Sequence, residues 1–226
     1  MKAIEPGGLL PDRAEAGRRL GRLLAAMPGL GGAVVLALPR GGVPVAAEVA
    51  RALGAPLDLL LVRKIGAPWQ PELAVAAVVD GTPPQTVIDE DFCALAGVEL
   101  SYIHDRVPHE LREIERRRHV YLHGRAPVNV EGATVIVVDD GIATGTTVRA
   151  ALQALRLRHP RRLVLAVPVA PAEALDALRG EVDEIVCLAQ PSPFHAIGAH
   201  YADFHQASDE EVIAALDSSV RKPPKA

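Results

Sequence analysis

Short segments that are apolar at almost every position alternate along this chain with segments of helical periodicity. The clearest apolar segments cover residues 33–38, 134–138 and 163–169. A strand that is apolar throughout must be buried on both faces, which is typical of a parallel sheet covered by helices on both sides. The chain is therefore predicted to be an α/β protein with a mainly parallel sheet. In such sheets, ligands bind beyond the carboxyl ends of the strands.

The same patterns predict the order of the elements. Further strands are expected at 59–62, 74–79 and 182–188, with 86–88 pairing beside the strand at 74–79. Helices are expected at 12–27, 44–53, 146–157, 172–178 and 209–216, and residues 90–121 are expected to be helical with breaks near Gly97 and Pro108. The first helix starts with Asp12 and Glu15, which have the spacing of a capping box.

The length and composition indicate one domain with one core. The chain has 226 residues, of which 49% are hydrophobic and 23% charged, and this size suits a single α/β core rather than two. Neither an internal repeat nor a linker rich in glycine and serine divides it. We expect a single domain at 1–217, followed by a loose tail at 218–226 that contains two prolines and two lysines.

Charge and aromatic content argue against nucleic-acid and membrane partners. The formal net charge is −4 and aromatic residues make up 3% of the chain, so the sequence has neither the basic surplus nor the stacking platforms that nucleic-acid binding needs. It shows no signal peptide and no apolar run as long as a membrane helix. Cys93 and Cys187 are far apart in sequence and indicate no disulfide framework, so a cytoplasmic location is expected.

The most informative segment for function is 135–147, an apolar strand that ends in Asp139 and Asp140 and passes through a Gly/Thr turn into a helix. In a cleft, two adjacent carboxylates can accept hydrogen bonds from a vicinal diol or hold a hydrated divalent cation. The turn at 144–147 places N–H groups and hydroxyls at a helix N-terminus, and Gly145 permits close approach of an anion. A diol site one turn from a phosphate site predicts a ribose 5-phosphate ligand. The alternative is a polar strand end followed by a threonine-capped helix.

Several other motifs are missing from the sequence. It contains no Gly-x-x-x-x-Gly-Lys-Ser/Thr loop, no Gly-x-Gly-x-x-Gly after a strand and no Gly-x-Ser-x-Gly elbow. A P-loop nucleotide hydrolase, a dinucleotide-binding fold and a serine esterase are therefore not supported. His195, His200 and His205 recur every five residues, which fits helical zinc-ligand spacing poorly.

The segment 135–147 resembles the phosphoribosyl pyrophosphate (PRPP) binding motif of type I phosphoribosyltransferases. The resemblance implies that Asp139 and Asp140 meet the ribose hydroxyls. It also implies that the 5-phosphate is wrapped by Ala143, Thr144, Gly145, Thr146 and Thr147. The sequence departs from the family pattern at Gly141, where an aliphatic residue is usual. It departs again at Ala143, where 6-oxopurine enzymes carry an aspartate that serves the base, and this weakens a hypoxanthine or guanine assignment.

A second candidate site, Arg40-Gly41-Gly42, follows the strand predicted at 33–38. Its glycines allow a tight turn with exposed N–H groups, and the Arg40 guanidinium offers a planar set of donors for phosphate oxygens. The alternative is an ordinary strand-to-helix turn. The segment resembles the pyrophosphate loop of the same family, most closely that of bacterial xanthine-guanine enzymes, which implies that Arg40, Gly41 and Gly42 bind pyrophosphate.

A third candidate, Arg63-Lys64, lies at the end of the second predicted strand. Lys64 is the only lysine between Lys2 and Lys222 in a chain that otherwise uses arginine for positive charge, and a compact ammonium can rotate among phosphate oxygens. An exposed strand-end cation is the alternative. The segment is similar to adenine and orotate phosphoribosyltransferases, which implies a catalytic role for Arg63 and Lys64 and a mobile loop at 65–73 that closes over the reaction.

Two weaker segments remain. Residues 110–119 alternate in charge along a predicted helix, which indicates either a solvated helix face or arginines that reach the active site or a subunit partner. The segment at about 189–206 lies where the family places a small C-terminal hood over the base. The resemblance implies that Phe194, His195 and Tyr201 hold a planar acceptor there, and a satellite of the hydrophobic core is the alternative.

Together the motifs predict an enzyme that transfers the ribose 5-phosphate of Mg-PRPP to a nitrogenous acceptor and releases pyrophosphate. Mg²⁺ is the implied cofactor, held through water by Asp139 and Asp140, and PRPP and a small nitrogenous acceptor are the implied partners. The resemblance also allows a homodimer, since the family is commonly dimeric. Two alternatives stay open: a regulator that binds PRPP without catalysis, and a hydrolase that acts on a ribose phosphate without an acceptor.

Overall fold

The computed structural model describes residues 9–219. Its strands are β1 (Val34–Ala37), β2 (Leu57–Leu59), β3 (Val62–Ala67), β4 (Gln70–Val79), β5 (Gln85–Ile88), β6 (Thr134–Val138), β7 (Arg162–Val169) and β8 (Glu184–Ala189). Its helices are α1 (Arg13–Ala25), α2 (Gly42–Leu53), α3 (Glu90–Ala96), α4 (Leu100–Leu122), α5 (Thr146–Arg156), α6 (Ala172–Leu178) and α7 (Asp209–Ser219). This order confirms the predicted alternation of strands and helices.

Five strands form a parallel sheet in the order β2-β1-β6-β7-β8. The chain passes outward from β1 to β2 on one side, and from β6 through β7 to β8 on the other. The sheet therefore has its topological switch point between β1 and β6, which pair directly. In open parallel sheets the crevice at the carboxyl ends of such a strand pair is the usual ligand site. The predicted α/β fold is confirmed.

Alternate residues of the parallel strands pack against different helices. Val35 and Ala37 of β1 belong to the apolar cluster that includes α1, α2 and α7. Val34 and Leu36 belong to the cluster that includes α5 and α6. Each face of the sheet is therefore covered, and burial of apolar surface at about 25 cal/mol per Å² stabilises both sides. This explains why the strands are apolar at successive positions.

The strands β3, β4 and β5 form an antiparallel sheet in that order. Its residues Ile65 and Val78 belong to the same apolar cluster as parts of α3 and α4. The predicted pairing of residues 86–88 with the strand before them is confirmed, because Thr86 pairs with Val78. This sheet lies directly after β2 in the chain and carries the Arg63-Lys64 segment beside the parallel sheet.

The strand boundaries predicted in this region are wrong. The strand predicted at 59–62 is divided between the two sheets, because β2 ends at Leu59 and β3 begins at Val62. A continuous apolar run does not show where a chain leaves one sheet for another. Residues 65–73, predicted as a connecting loop, form the β3–β4 hairpin, in which register shifts around Gly66 accommodate a segment whose glycine and prolines are typical of loops. Its closure over the reaction stays a prediction.

Local signals set the ends of several helices. Asp12 caps α1 and accepts a hydrogen bond from Glu15 N at 2.6 Å, as the capping-box spacing predicts. Gly97 ends α3 with a φ of +65°, which confirms the predicted break there. The break predicted at Pro108 is wrong, because α4 continues through it. Proline removes one helical hydrogen bond, and apolar residues on either side of it hold α4 in the core.

After β8 the chain forms a short 3₁₀ turn, Ile197–His200, and returns to the start of the fold, where Tyr201 pairs with Leu10. Of the tail predicted at 218–226, the first two residues complete α7, and residues 220–226 lie outside the described residues. None of the helices between residues 9 and 219 combines the length and the apolar character that a membrane crossing requires.

Candidate active site

The loops that follow β1 and β6 meet at the switch point of the sheet. Leu38 N donates a hydrogen bond to Val138 O at 3.0 Å, which holds the two loops together. Beside them lies a cleft of about 240 Å³, whose wall includes Pro39, Arg63, Arg117, Asp139 and Thr147. Residues from the three predicted motifs, or directly adjacent to them, therefore line one cleft.

Asp139 is the acid that lines this cleft. Its Oδ1 accepts a hydrogen bond from Asp140 N at 2.9 Å. Burial raises the pKa of Asp139 well above its ordinary value, and the neighbouring Asp140 carboxylate raises it further. A ligand that supplies hydroxyl donors or positive charge would stabilise the ionised form of Asp139. Its environment therefore suits a diol or a hydrated cation.

Asp140 has a different environment. Its Oδ2 accepts a hydrogen bond from Arg13 Nε at 2.8 Å, and both side chains are buried. The Arg13 guanidinium lies 3.9 Å from the centre of the Phe204 ring and donates through Nη1 to His205 O at 2.7 Å. The Asp140 carboxylate is thus engaged in an internal ion pair that connects α1 with the loop after β6, and Arg13 also binds the segment after β8 through His205 O.

The three predicted hood residues differ in environment. Tyr201 is buried and its hydroxyl donates to Asp140 O at 2.6 Å. Burial raises the pKa of Tyr201, so its hydroxyl stays protonated and remains a hydrogen-bond donor within the fold. The Phe194 ring stacks on His200 with centroids 5.1 Å apart, and His195 is exposed. The structure places Tyr201 in a satellite core with Phe194 packed against it, and leaves His195 exposed.

The departure from the family pattern at Gly141 has a packing explanation. A Cβ atom at this position would lie 2.6 Å from Ile197 Cγ2 and 3.0 Å from Val169 Cγ2. Real Cβ atoms do not approach other atoms so closely. In this protein Ile197 therefore occupies the space that a side chain at position 141 would need.

The glycines after Arg40 bring their loop into direct contact with the acids. A Cβ atom on Gly41 would lie 2.0 Å from Asp140 Oδ2, and one on Gly42 would lie 2.8 Å from Val138 O. Only glycine permits this approach of one backbone to the other. The glycine pair therefore sets the short distance between the predicted pyrophosphate loop and the predicted diol acids.

We expect Gly42→Ala to lower the free energy of unfolding by about 1–3 kcal/mol, because the added methyl group meets backbone atoms of the β6 loop. Urea denaturation measures this change. Gly31→Ala is the matched control, since a Cβ atom there meets nothing within 4 Å. An equal loss in both variants would contradict the packing explanation.

The predicted phosphate cradle lies at the start of α5. Gly145 has a φ of +77°, which lets the chain turn into the helix. Ala143, Thr144 and Thr146 are exposed, the hydroxyl oxygens of the two threonines lie 3.4 Å apart, and Thr147 lines the cleft. Because the first N–H groups of a helix lack intrahelical acceptors, this turn can present several donors to an anion.

Arg63 and Lys64 lie on opposite sides of β3, since side chains alternate along a strand. Arg63 lines the cleft, and its Nε donates to Glu110 Oε2 at 2.8 Å. Lys64 instead lines a separate hollow of about 80 Å³, together with Thr146 and Arg149. The structure therefore brings Arg63 to the cleft at the switch point and places Lys64 outside it.

Glu110 holds Arg63 beside the cleft. Its side chain is almost fully buried, and this burial alone would raise the pKa of Glu110. Hydrogen bonds from Arg63 and His109 outweigh burial, and the pKa of Glu110 is lowered. The Arg63–Glu110 pair is therefore ionised at neutral pH, and it orients the planar guanidinium.

Arg40 directly follows Pro39, a residue of the cleft wall, and is not itself part of that wall. Its Nη1 is 3.5 Å from Asp209 Oδ1, and 36% of its side chain is exposed. Asp209 also accepts a hydrogen bond from the Tyr121 hydroxyl at 2.7 Å. A long ion pair between exposed groups contributes little to stability, so Arg40 can turn toward an anion at little cost.

Sequence reasoning did not identify Arg13 and Asp209 as neighbours of the motifs. Arg13 is separated from Asp140 by 127 residues, and no local pattern connects two such positions. One of the two interpretations of the charged helix at 110–119 is that its arginines reach the active site. Arg117 of this helix does line the cleft.

Comparison with known proteins agrees with the motifs. Residues 29–203 match the family model of the phosphoribosyl transferase domain. A protein of Mycobacterium tuberculosis named "Putative phosphoribosyl transferase Rv0571c" is 44% identical over 213 residues, which make up 94% of this chain and 47% of that protein. The chain therefore spans about half the length of this curated relative.

A solved structure is also similar to this chain over almost the whole length of both proteins. The crystal structure of TT1426 from Thermus thermophilus is 42% identical, with a TM-score of 0.80, and the match covers 92% of this chain and 97% of that chain. The family model covers the parallel sheet and each of the three motifs. The chain belongs to the phosphoribosyl transferase family.

Proposed function

We propose that this protein transfers the ribose 5-phosphate of PRPP to a nitrogenous acceptor and releases pyrophosphate. The observation that carries the proposal is the cleft at the switch point, where Arg63, Asp139 and Thr147 from separate motifs lie together. A carboxylate beside arginines suits a ligand that has both hydroxyl donors and a polyanionic group. Membership of the phosphoribosyl transferase family supports the reaction class.

In the proposed reaction, the bond between C1 of the ribose and the pyrophosphate oxygen breaks, and a bond between C1 and the acceptor nitrogen forms. The pyrophosphate leaves with the electron pair, and the proton displaced from the acceptor nitrogen is released to solvent. The transition state resembles an oxocarbenium ion with a departing polyanion. Electrostatic stabilisation by fixed groups is therefore the main contribution expected of the protein.

Each motif has one role in this proposal. Asp139 accepts hydrogen bonds from the ribose hydroxyls, and the donors at 143–147 hold the 5-phosphate at the far end. Arg40 and Arg63 neutralise the charge that develops on the pyrophosphate, and the backbone at 41–42 brings the loop close to it. Binding at both ends positions C1 for attack by the acceptor.

Mg²⁺ is the cofactor that this reaction class implies. Within the part of the chain that the structure describes, no group of three or more His, Cys, Asp or Glu side chains could hold a metal ion by itself. Mg²⁺ usually keeps several waters and binds through one or two carboxylates together with substrate phosphates. Asp139, which lines the cleft, fits this mode, whereas the Asp140 carboxylate is paired with Arg13. The bound ion would neutralise pyrophosphate oxygens.

Pyrophosphate release from PRPP, measured with Mg²⁺ and a panel of nitrogenous bases, tests the proposal. A transferase releases pyrophosphate when an acceptor is present. Release without any acceptor would indicate a hydrolase, and PRPP binding without release would indicate a regulator, and either result would contradict the proposal. The regulator is not favoured by the family match. Because Ala143 weakens a 6-oxopurine assignment, the panel should include acceptors other than purines.

Arg63→Ala is expected to lower kcat roughly 10²-fold, by analogy with the loss of one oxyanion donor. The sequence alone predicts the same loss for Lys64→Ala, but Lys64 lies on the other side of β3, so we expect its replacement to cost less than about tenfold. Steady-state kinetics of the two variants separates these expectations. An equal loss would contradict the role assigned from the geometry and would indicate that the hairpin rearranges during the reaction.

A further inference from the structure

One face of α4 lies along the side of the cleft that the proposed function assigns to pyrophosphate. At helical spacing this face carries Glu110, Glu113, Arg117 and Tyr121. Glu110 binds Arg63, and Tyr121 donates to Asp209, the residue beside Arg40. Both arginines already assigned to pyrophosphate therefore connect to this face of α4.

Arg117 is the cation that this face contributes to the cleft. Its side chain is 33% exposed and lines the cleft together with Arg63 and Asp139. Its Nε donates to Glu113 Oε1 at 2.8 Å. Among residues 9–219, apart from the Glu72 side chain, which the structure does not describe, its terminal N–H groups have no other acceptor. The guanidinium is thus held at one end, and its other donors remain for a ligand.

Neutralising Glu113 does not require Arg117. Arg116 already donates to both oxygens of Glu113, from Nε at 2.8 Å and from Nη2 at 3.0 Å. Together Arg116 and Arg117 lower the pKa of Glu113 to about 2, so Glu113 is ionised at neutral pH and anchors its neighbours. Arg116 is 62% exposed and lies on the solvent-facing side of α4.

We propose that Arg117 binds the pyrophosphate group of PRPP, as a further cation beside Arg40 and Arg63. This inference rests on the proposed function. A guanidinium held at Nε presents its remaining donors in one plane, a geometry that matches the oxygens of a diphosphate. Arg63 and Arg117 lie together in the wall of the cleft, so one diphosphate group could accept hydrogen bonds from both guanidinium groups.

Isothermal titration calorimetry with pyrophosphate, PRPP and ribose 5-phosphate, with Mg²⁺ present throughout, tests this inference. Arg117→Ala is expected to weaken binding of pyrophosphate and PRPP by about tenfold or more, because a charge-assisted hydrogen bond is lost. Binding of ribose 5-phosphate, which lacks the pyrophosphate group, should not change. Arg117→Lys should recover part of the affinity, since it restores the charge without the planar donors.

Arg116→Ala is the matched control, because it removes the neighbouring arginine that shares Glu113 and is expected to leave all three affinities unchanged. If the unaltered protein binds pyrophosphate and Arg117→Ala binds it equally well, the inference is overturned and the proposed function is unaffected. A proportional loss of ribose 5-phosphate affinity would also overturn it, since the role of Arg117 would then be structural. If the unaltered protein binds neither pyrophosphate nor PRPP, the proposed function itself fails.

Discussion

Replacing Asp139 and Asp140 together by asparagine is expected to abolish detectable PRPP binding, because the proposed ribose site loses its negative charge. Hydrogen bonds to charged groups contribute about 1.5–3 kcal/mol each, so the loss of two such bonds to the ribose hydroxyls corresponds to roughly 10²–10⁴-fold in affinity. Calorimetry with Mg-PRPP measures the effect, and circular dichroism verifies that the variant is folded. Unchanged affinity would contradict the diol assignment.

From the structure we expect the two acids to contribute unequally to this loss of PRPP affinity. Asp139 lines the cleft, whereas the Asp140 carboxylate is paired with Arg13. Asp139→Asn alone is therefore expected to account for most of the lost affinity, and Asp140→Asn should act mainly on stability. Equal losses of affinity in the two single variants would show that Asp140 meets the ligand directly.

Asp140→Ala is expected to lower the free energy of unfolding by about 3–5 kcal/mol, because it leaves a buried arginine without its counter-charge. Arg13 and Asp140 are each only 8% exposed, so water cannot replace the missing carboxylate effectively. The same change removes the side-chain contact between α1 and the loop after β6. Urea denaturation followed by circular dichroism measures the loss.

Asp176→Ala is the matched control for this measurement. Its ion pair with Arg179 has the same N–O distance of 2.8 Å, but the side chains are 66% and 67% exposed. Exposed pairs of this kind contribute at most about 1 kcal/mol. A loss at Asp140 no larger than the loss at Asp176 would contradict the description of Arg13–Asp140 as a buried structural pair.

The parallel sheet could be predicted because each of its strands has a recognisable sequence pattern. A strand buried on both faces is apolar at successive positions, and the segments at 33–38 and 134–138 have this property. The glycine loop and the two acids could be located because they directly follow these strands. The rule that neighbouring parallel strands end at the same edge then brings both loops to one site.

The antiparallel sheet was harder to predict. Its hairpin contains Gly66, Pro68 and Pro71, residues typical of loops, and pairing between β3 and β4 overrides that local preference. Likewise, Pro108 predicts the end of a helix, yet α4 continues because its apolar residues on either side pack in the core. In both cases tertiary contacts outweigh the preference of a few residues.

By itself the sequence determined the order of the elements and the chemistry of each loop, because strand burial, capping and turn formation act over a few neighbouring residues. Only the tertiary structure decided which groups share the cleft. It placed Arg63 rather than Lys64 there, added Arg117 from α4, and engaged Asp140 with an arginine 127 residues away. Such outcomes depend on how sheets and helices pack against one another. Two side chains that are far apart in sequence meet only in the folded chain, so no local sequence pattern predicts the distance between them.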